Sequence, residues 1–490
     1  MTEQTFGRLP GKHWNDRRID LMSPDSIFAA PPEHDEDARF AHYGKLLGDS
    51  PDPKTVLELC ETLNVRFMRL TFTDIAGHIK NVEIPASQFP KALDGEIMFD
   101  GSSIKGFVRI EESDMLLKPD LKTFRVFPWG NPEARVARLI CDVHNSDETP
   151  FSGDPRRVLK RVAEKAAAMG YMVNAGVEAE FFLFQKDEDG GATTITHDRG
   201  GYFDLTPVDL GEKARRMIVN DLEAMGFEVE AAHHEVAPGQ HEIDFKYADV
   251  MITADSLTTF KFIVRNAALA HDLHATFMPK PIFGQNGSGM HTHQSLFDAN
   301  GNVFFDPDGE YQMSTLMRHY IGGLKKHASA LAAVTNPLVN SYKRLVPGYE
   351  APVDIAWSQS NRSPMIRVPD RRGVGTRVEF RMPDPACNPY LALAVQIAAG
   401  LDGIENEIDS GPPLDVNVWE LTKADREKYA ITSLPANLGE AIAELERSAT
   451  MREVLGEHLF TNFVESKKKE WSEYISQVST WELDRYLTSY

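Results

Sequence analysis

GVEAEFFLF, residues 176–184, is the stretch on which the reading of this chain turns. Its Val, Phe and Leu suit a β-strand, and side chains along a strand alternate between its two faces. Glu178 and Glu180 then share one face, with Val177, Ala179, Phe181 and Leu183 on the other. Burying two like charges side by side is costly unless a cation or a base compensates them. A solvated strand face is the plain alternative for this pair taken alone.

Further segments repeat the pattern. HHEVAPGQHEIDF offers Glu235 and Glu242 across a tight Ala-Pro-Gly turn, GMHTHQSLF aligns His291, His293 and Ser295, and TRVEFRM aligns Arg377, Glu379 and Arg381. Four segments with functional groups at two-residue spacing beside apolar neighbours are not ordinary surface. Five carboxylates with one imidazole make a hard, oxygen-rich ligand set, which favours Mg²⁺ or Mn²⁺ over zinc or copper. Six protein ligands suit two ions better than one, since Mg²⁺ keeps several water or phosphate ligands. Two such ions beside arginines point to phosphate chemistry, in which metals bridge phosphate oxygens and guanidinium groups meet developing charge. Arg344 in NSYKRLVPGYE and Arg362 in NRSP add to Arg377 and Arg381. The glycine-rich loop KPIFGQNGSGMH (280–291) fits neither the P-loop nor the dinucleotide fingerprint; its glycines allow close backbone approach to a ligand.

The bulk properties frame this site. A chain of 490 residues, 42% hydrophobic and 26% charged, is expected to form two or more domains. No run approaches the roughly eighteen apolar residues of a membrane span, and the first residues lack a signal-peptide core. Cys60, Cys141 and Cys387 are far apart, which fits a reducing compartment and predicts a cytoplasmic protein. A net charge of −21 disfavours nucleic acid and anionic membranes as partners.

Along the chain, residues 1–53 read as an extension without sustained periodicity. Asp52-Pro53 is a helix start, and VRFMRLTFT, HIKNVEI and ARVARLICDVH read as strands, giving a small helix-plus-sheet domain over 54–148. TPFSGDP marks a boundary. Residues 149–490 then alternate helices with strands such as GVEAEFFLF, HATFMPK and TRVEFRM, and end in helices from about Leu438.

Assembled in this order, the segments resemble glutamine synthetase of the bacterial type I class over residues 54–490. FDGSS (99–103), ESD (112–114), EAE, HHEVAPGQHE, KPIFGQNGSGMHTHQS, NSYKRLVPGYE, NRSP and RVEFR occur in the family's order. The resemblance implies an α+β fold: an N-terminal β-grasp domain and a large catalytic domain with a curved antiparallel sheet. It also implies a homododecamer of two hexameric rings, with active sites between adjacent subunits. By analogy Glu180, Glu235 and Glu242 hold a first metal and Glu178, His291 and Glu379 a second, with ATP as cosubstrate. Glu230, Tyr247, His293, Ser295 and Arg377 match nucleotide contacts. Asn286, Gly287, His291, Arg344 and Arg381 match glutamate contacts, and Arg362 a phosphate-stabilising arginine.

The reaction implied is ligation of ammonium to glutamate through an acyl phosphate, with Asp100 taking a proton from ammonium and Glu350 closing a flap. Trp419 stands where an adenylylated subclass has its target tyrosine, while Arg109 matches a glutamine-inhibited subclass known for binding transcription regulators. Two other readings share these residues: a γ-glutamyl polyamine or amine ligase, and a catalytically silent nitrogen sensor.

Overall fold

The computed structural model describes residues 44, 46–104, 106, 114–359, 361–414, 422–429 and 431–490. Arg109 and Trp419 lie outside these residues.

Helix α1 (Pro53–Thr62) starts as the sequence predicts. Asp52 Oδ1 accepts the Thr55 N–H at 2.8 Å, and Pro53 takes the first helical position, where no N–H is needed. Val56, Leu59 and Cys60 face a core shared with β1 (Val65–Thr73) and β2 (Ile79–Pro85). After the short α2 (Phe89–Leu93) come β3 (Ile97–Asp100), β4 (Asp114–Val126) and β5 (Arg135–Asn145). The sheet order is β2-β1-β5-β4-β3, with β1 and β5 parallel. β3 and β4 were not among the strands the sequence suggested. Pro119 and a register shift between Asp120 and Arg125 interrupt the alternation that would have shown β4.

Helix α3 (Pro155–Ala168) ties this sheet to the rest of the chain through Arg156, which is only 4% exposed. Its guanidinium meets Asp142 at 2.6 Å, Asp120 at 2.8 Å and Asp255 at 2.9 Å, on β5, on β4 and on a helix of the larger unit. Three carboxylates around one buried cation form a charge-assisted lock between the two sheet systems.

The larger unit holds two further sheets. One contains β6 (Met172–Ala179), β11 (Ala248–Asp249), β13 (Met290–Asp298), β16 (Trp357–Ser358), β17 (Ile366–Arg367) and β18 (Val378–Phe380), ordered β11-β6-β13-β18-β17-β16. The strand β14 (Gly301–Asn302) extends from β13, and β15 (Asp354–Ile355) pairs apart with Thr432–Ser433. The second sheet runs β12-β7-β10-β9: β12 (Leu273–Thr276), β7 (Phe181–Lys186), β10 (Gln240–Phe245) and β9 (Val229–His234), with β8 (Ala192–Thr196) against β7. Pairing is antiparallel except between β16 and β17.

The stretch 176–184 is therefore two strands and not one. It breaks at Glu180, where the chain leaves the first sheet for the second. HATFMPK and TRVEFRM are also shorter than expected; Arg377 and Arg381 flank the three residues of β18. Helices α4 (Glu212–Ala224) and α5 (Val250–Ala270) cover the second sheet. Helices α6 (Thr315–Thr335) and α8 (Pro389–Glu405), with the short α7 (Ser341–Arg344) between them in sequence, pack the main core. Residues after Leu438 are mainly helical, as expected. Among the described residues no helix is long and apolar enough to cross a membrane.

Candidate active site

Strand register brings the functional side chains together. Across β6 and β13 His291 lies opposite Glu178, across β13 and β18 His293 lies opposite Glu379, and across β17 and β18 Arg367 lies opposite Glu379. On the neighbouring hairpin His233 of β9 lies opposite Glu242 of β10. Glu180, at the break between β6 and β7, and Glu235, just past β9, stand where the two sheets part. Glu180 N–H donates to Gly289 carbonyl at 3.1 Å, which closes that corner onto the glycine-rich loop. Gly287 belongs there for a steric reason: a Cβ at this position would lie 2.2 Å from the Pro279 carbonyl oxygen.

Two groups of ligand atoms result. Glu178, His291 and Glu379 form one, and Glu235, Glu242 and His233 the other. Glu180 borders the second group without belonging to its tightest set, and His233, which sequence reading did not single out, takes that place. His233 Nε2 lies 3.3 Å from Glu242 Oε1, and its Nδ1 3.5 Å from Glu235 Oε1.

The electrostatics of the two groups differ. Burial, then the like charge of Glu180, pushes the Glu235 carboxyl up to about 9. Burial raises Glu180 to about 7 against the opposing pull of Arg344, and burial with the Glu180 charge drives Glu242 well above the usual range. Three clustered carboxyls that the fold alone cannot keep charged lack positive charge. In the other group, burial raises Glu379, but the neighbouring His293, His291 and Arg381 outweigh it and hold it at about 2. Glu178 is likewise held low, because hydrogen bonds from His291 and His293 overcome burial.

Histidine tautomers follow from the partners. Arg377 Nε–H donates to His293 Nδ1 at 3.0 Å, so the ring proton sits on Nε2 and is donated to Glu178 Oε1 at 2.7 Å. Burial and Arg381 lower His291 to about 4, so it is neutral; its Nδ1 meets Glu178 Oε2 at 3.1 Å, leaving the Nε2 lone pair for a ligand. Arg381 Nη1 donates to Glu379 Oε1 at 2.5 Å and Arg367 Nη1 to Oε2 at 2.7 Å. The Nε atoms of both arginines are buried without a hydrogen-bond partner among the described residues. Raised carboxyls, a free imidazole lone pair and unpartnered guanidinium donors in one cleft suit divalent cations bound together with an anion.

Three connected cavities make up that cleft. Glu230, Tyr247, His293, Ser295 and Arg377, the five expected nucleotide contacts, line one of about 270 Å³. Glu178, His293, Arg377 and Asp244 also line the central cavity of about 460 Å³, which holds both carboxylate groups, Arg362, Arg367 and Glu350. A narrower recess beyond it is lined by Glu180, Asn286, Gly287, Arg344, Arg381 and Glu350. In this recess Arg344, only 3% exposed, donates to the carbonyls of Met382 and Arg381, and Glu350 stands exposed at the rim.

Asp100 lines none of these cavities. It sits exposed at the end of β3, its Oδ1 accepting the Ser102 N–H at 2.8 Å, and these bonds to Ser102 lower its pKa. Residues missed from the sequence are His233, Gln240, Asp244 and Arg367. His233 is the first histidine of HHE, and Arg367 follows NRSP closely, but only register reveals their partners.

Behind the hairpin, Asp198, Asp209, His234 and His241 form a fully buried group. Arg215 supplies its positive charge, donating to Asp209 Oδ2 at 2.7 Å and to His241 Nδ1 at 3.0 Å. Asp198 Oδ1 accepts Gly239 N–H at 2.8 Å, so the group braces the turn that carries Glu235 and Glu242.

Two family models match the chain: one described as "Glutamine synthetase, beta-Grasp domain" over residues 64–146, and one as "Glutamine synthetase, catalytic domain" over 152–486. A glutamine synthetase of Thermus thermophilus is 60% identical over 439 residues, which span 89% of this chain and 98% of that one. A solved structure described as a GmaS/ADP complex has a TM-score of 0.81 at 35% identity, covering 88% of this chain and 99% of that one. A Plasmodium falciparum glutamine synthetase solved by cryo-electron microscopy has a TM-score of 0.80 at 25% identity, covering 90% and 99%.

Proposed function

The chain belongs to the glutamine synthetase family and is a glutamate–ammonia ligase, and from that premise we propose how its residues divide the work. The reaction joins ammonia to the γ-carboxylate of glutamate and converts ATP to ADP and phosphate. A carboxylate is a poor electrophile, so one γ-oxygen first attacks the terminal phosphorus of ATP. This gives γ-glutamyl phosphate and ADP. Ammonia then adds to the acyl carbon and phosphate leaves with that oxygen.

The observation that carries the reading is the clustering of buried, charge-starved carboxyls between a nucleotide-sized cavity and an arginine-lined recess. Glu180, Glu235 and Glu242 with His233, and Glu178, His291 and Glu379, would hold two divalent cations, Mg²⁺ or Mn²⁺, which supply positive charge to phosphate oxygens. Tyr247 packs on the base, with Glu230, Ser295 and Arg377 about it. Arg344 and Arg381 face the substrate's carboxylates, and Asn286 and Gly287 present polar groups from the loop. Arg362, exposed in the central cavity beside the Tyr202 phenol, meets charge on the phosphoryl group in transit. Glu350 closes the rim, excludes water and accepts a proton as the amide forms.

Asp100 acts on a neighbouring subunit. Its place at the edge of the N-terminal sheet, away from its own chain's cleft, supports an active site completed between subunits, as in a dodecamer of two hexameric rings. There it takes the proton that turns ammonium into a nucleophile. The enzyme works in the cytoplasm. Arg109 mediates feedback by glutamine, and a transcription regulator is a candidate partner of the inhibited form.

Phosphate release with ATP, glutamate, ammonium and Mg²⁺, each omitted in turn, tests the reading. Sustained turnover should require all four, and putrescine should not replace ammonium. Turnover that is faster with putrescine, or indifferent to ammonium, would overturn it.

A further inference from the structure

Gln240 is 1% exposed and lies outside every role assigned above. Its side-chain amide makes three contacts. The Nε2 group donates to Glu180 Oε2 at 2.6 Å and to the Gly287 carbonyl at 3.3 Å, while Oε1 accepts the Ala237 N–H at 3.1 Å. Its backbone carbonyl accepts the Glu235 N–H at 2.7 Å. Gly289 N–H also donates to Glu180 Oε2, at 3.0 Å. Both donors fall on the same oxygen, so Oε1 is left as the free ligand atom of Glu180.

We propose that Gln240 is a positioning residue that joins the first cation site to the glutamate loop, fixing Glu180 as a one-oxygen ligand and the Gly287 carbonyl at the recess. The proposal deepens the reading above and rests on Glu180 being a cation ligand. An amide is the side chain this position requires, because two N–H donors and one acceptor match the three partners. A glutamate here would set a second carboxylate against Glu180 and lose both donors. A methionine of similar length would leave the Ala237 N–H and the Gly287 carbonyl unpaired and Glu180 free to turn. Partners of this kind set ligand orientation, and removing them costs about 10- to 100-fold in metal affinity or activity.

The test is calorimetric titration of the purified, cation-free full chain with Mn²⁺, and then with glutamate at saturating Mn²⁺ and ADP. Wild type is compared with Gln240→Met, Gln240→Glu and Glu180→Gln. We expect both Gln240 variants to weaken Mn²⁺ binding by roughly 10- to 100-fold and to weaken glutamate while ADP affinity stays near wild type; Gln240→Met also lowers the thermal midpoint, because the Ala237 N–H and the Gly287 carbonyl lose their partner. Steady-state assays should show a raised KM for glutamate with that for ATP unmoved. If Gln240→Met binds Mn²⁺ and glutamate as wild type does, the proposal is wrong. If it only lowers the thermal midpoint, or weakens ADP equally, Gln240 is a packing residue and the proposal is also wrong. Glu180→Gln separates the two levels: if that variant keeps full Mn²⁺ affinity, the cation-site reading itself has failed.

Discussion

Cation binding should expel protons, and the number follows from the buried carboxyls. With Glu235 raised to about 9 and Glu180 to about 7, the cation-free site at pH 7 holds Glu235 protonated and Glu180 half protonated. Glu242, also raised, adds to the total. A divalent ion bound at this first site needs all three ionised, so roughly two protons should leave there at pH 7, and apparent affinity should climb on the order of 100-fold from pH 7 to 8. The sign for stability is set by the same groups. Their folded values lie above the unfolded 4.5, so between pH 4.5 and 9 the cation-free fold binds more protons than the unfolded chain. Its stability therefore falls as pH rises through that window. The thermal shift produced by Mg²⁺ should accordingly be larger at pH 8.5 than at pH 6.5. Titrating Mn²⁺ calorimetrically in two buffers of different ionisation enthalpy counts the protons directly. Glu235→Gln should lower the count at pH 7 by about one, since it removes a carboxyl that is protonated there in the cation-free site. Equal heats in both buffers at pH 7, or a count unchanged in Glu235→Gln, would refute the reasoning.

Other expectations follow from the same geometry. Arg156→Met should leave Asp255 without its cation and Asp142 with Lys160 alone, and cost roughly 3–5 kcal/mol, visible as a lower urea midpoint, whereas an unchanged midpoint would mean the lock contributes little. Asp100→Ala should still form acyl phosphate, seen as one burst of ADP, while amide formation falls by about 10²- to 10⁴-fold; loss of the burst would place Asp100 in phosphoryl transfer instead. Tyr247→Ala should raise KM for ATP about tenfold with kcat little changed, as expected for lost base stacking; an unmoved KM would remove Tyr247 from the base site.

Several elements could be read directly from residues. Asp52-Pro53 carries its own capping chemistry, β1 and β2 keep a regular strand composition, and the hairpin around Ala237–Gly239 is marked by its turn. The carboxylates were legible for a similar reason, since alternation along a strand is local and charge in an apolar run stands out. What was not legible depends on pairing. Nothing within 176–184 shows that the chain changes sheets at Glu180, because that depends on β13 and β10 arriving from far along the sequence. His233 and Arg367 escaped notice because their partners are set by register across β9–β10 and β17–β18. Gln240 was hidden too, being a neutral residue in a turn whose contacts are all non-local. Asp100 could be linked to the reaction only through resemblance, since its own chain does not bring it to the cleft.

The central claim is that a γ-carboxylate oxygen of glutamate attacks ATP before nitrogen arrives. Glutamate labelled with ¹⁸O in its γ-carboxylate tests this most directly, with ATP, ammonium and Mg²⁺ present and the released phosphate analysed by mass. One ¹⁸O atom in each phosphate, with one glutamine formed per phosphate, is the result expected. Unlabelled phosphate would mean that water attacks ATP, and would contradict the account.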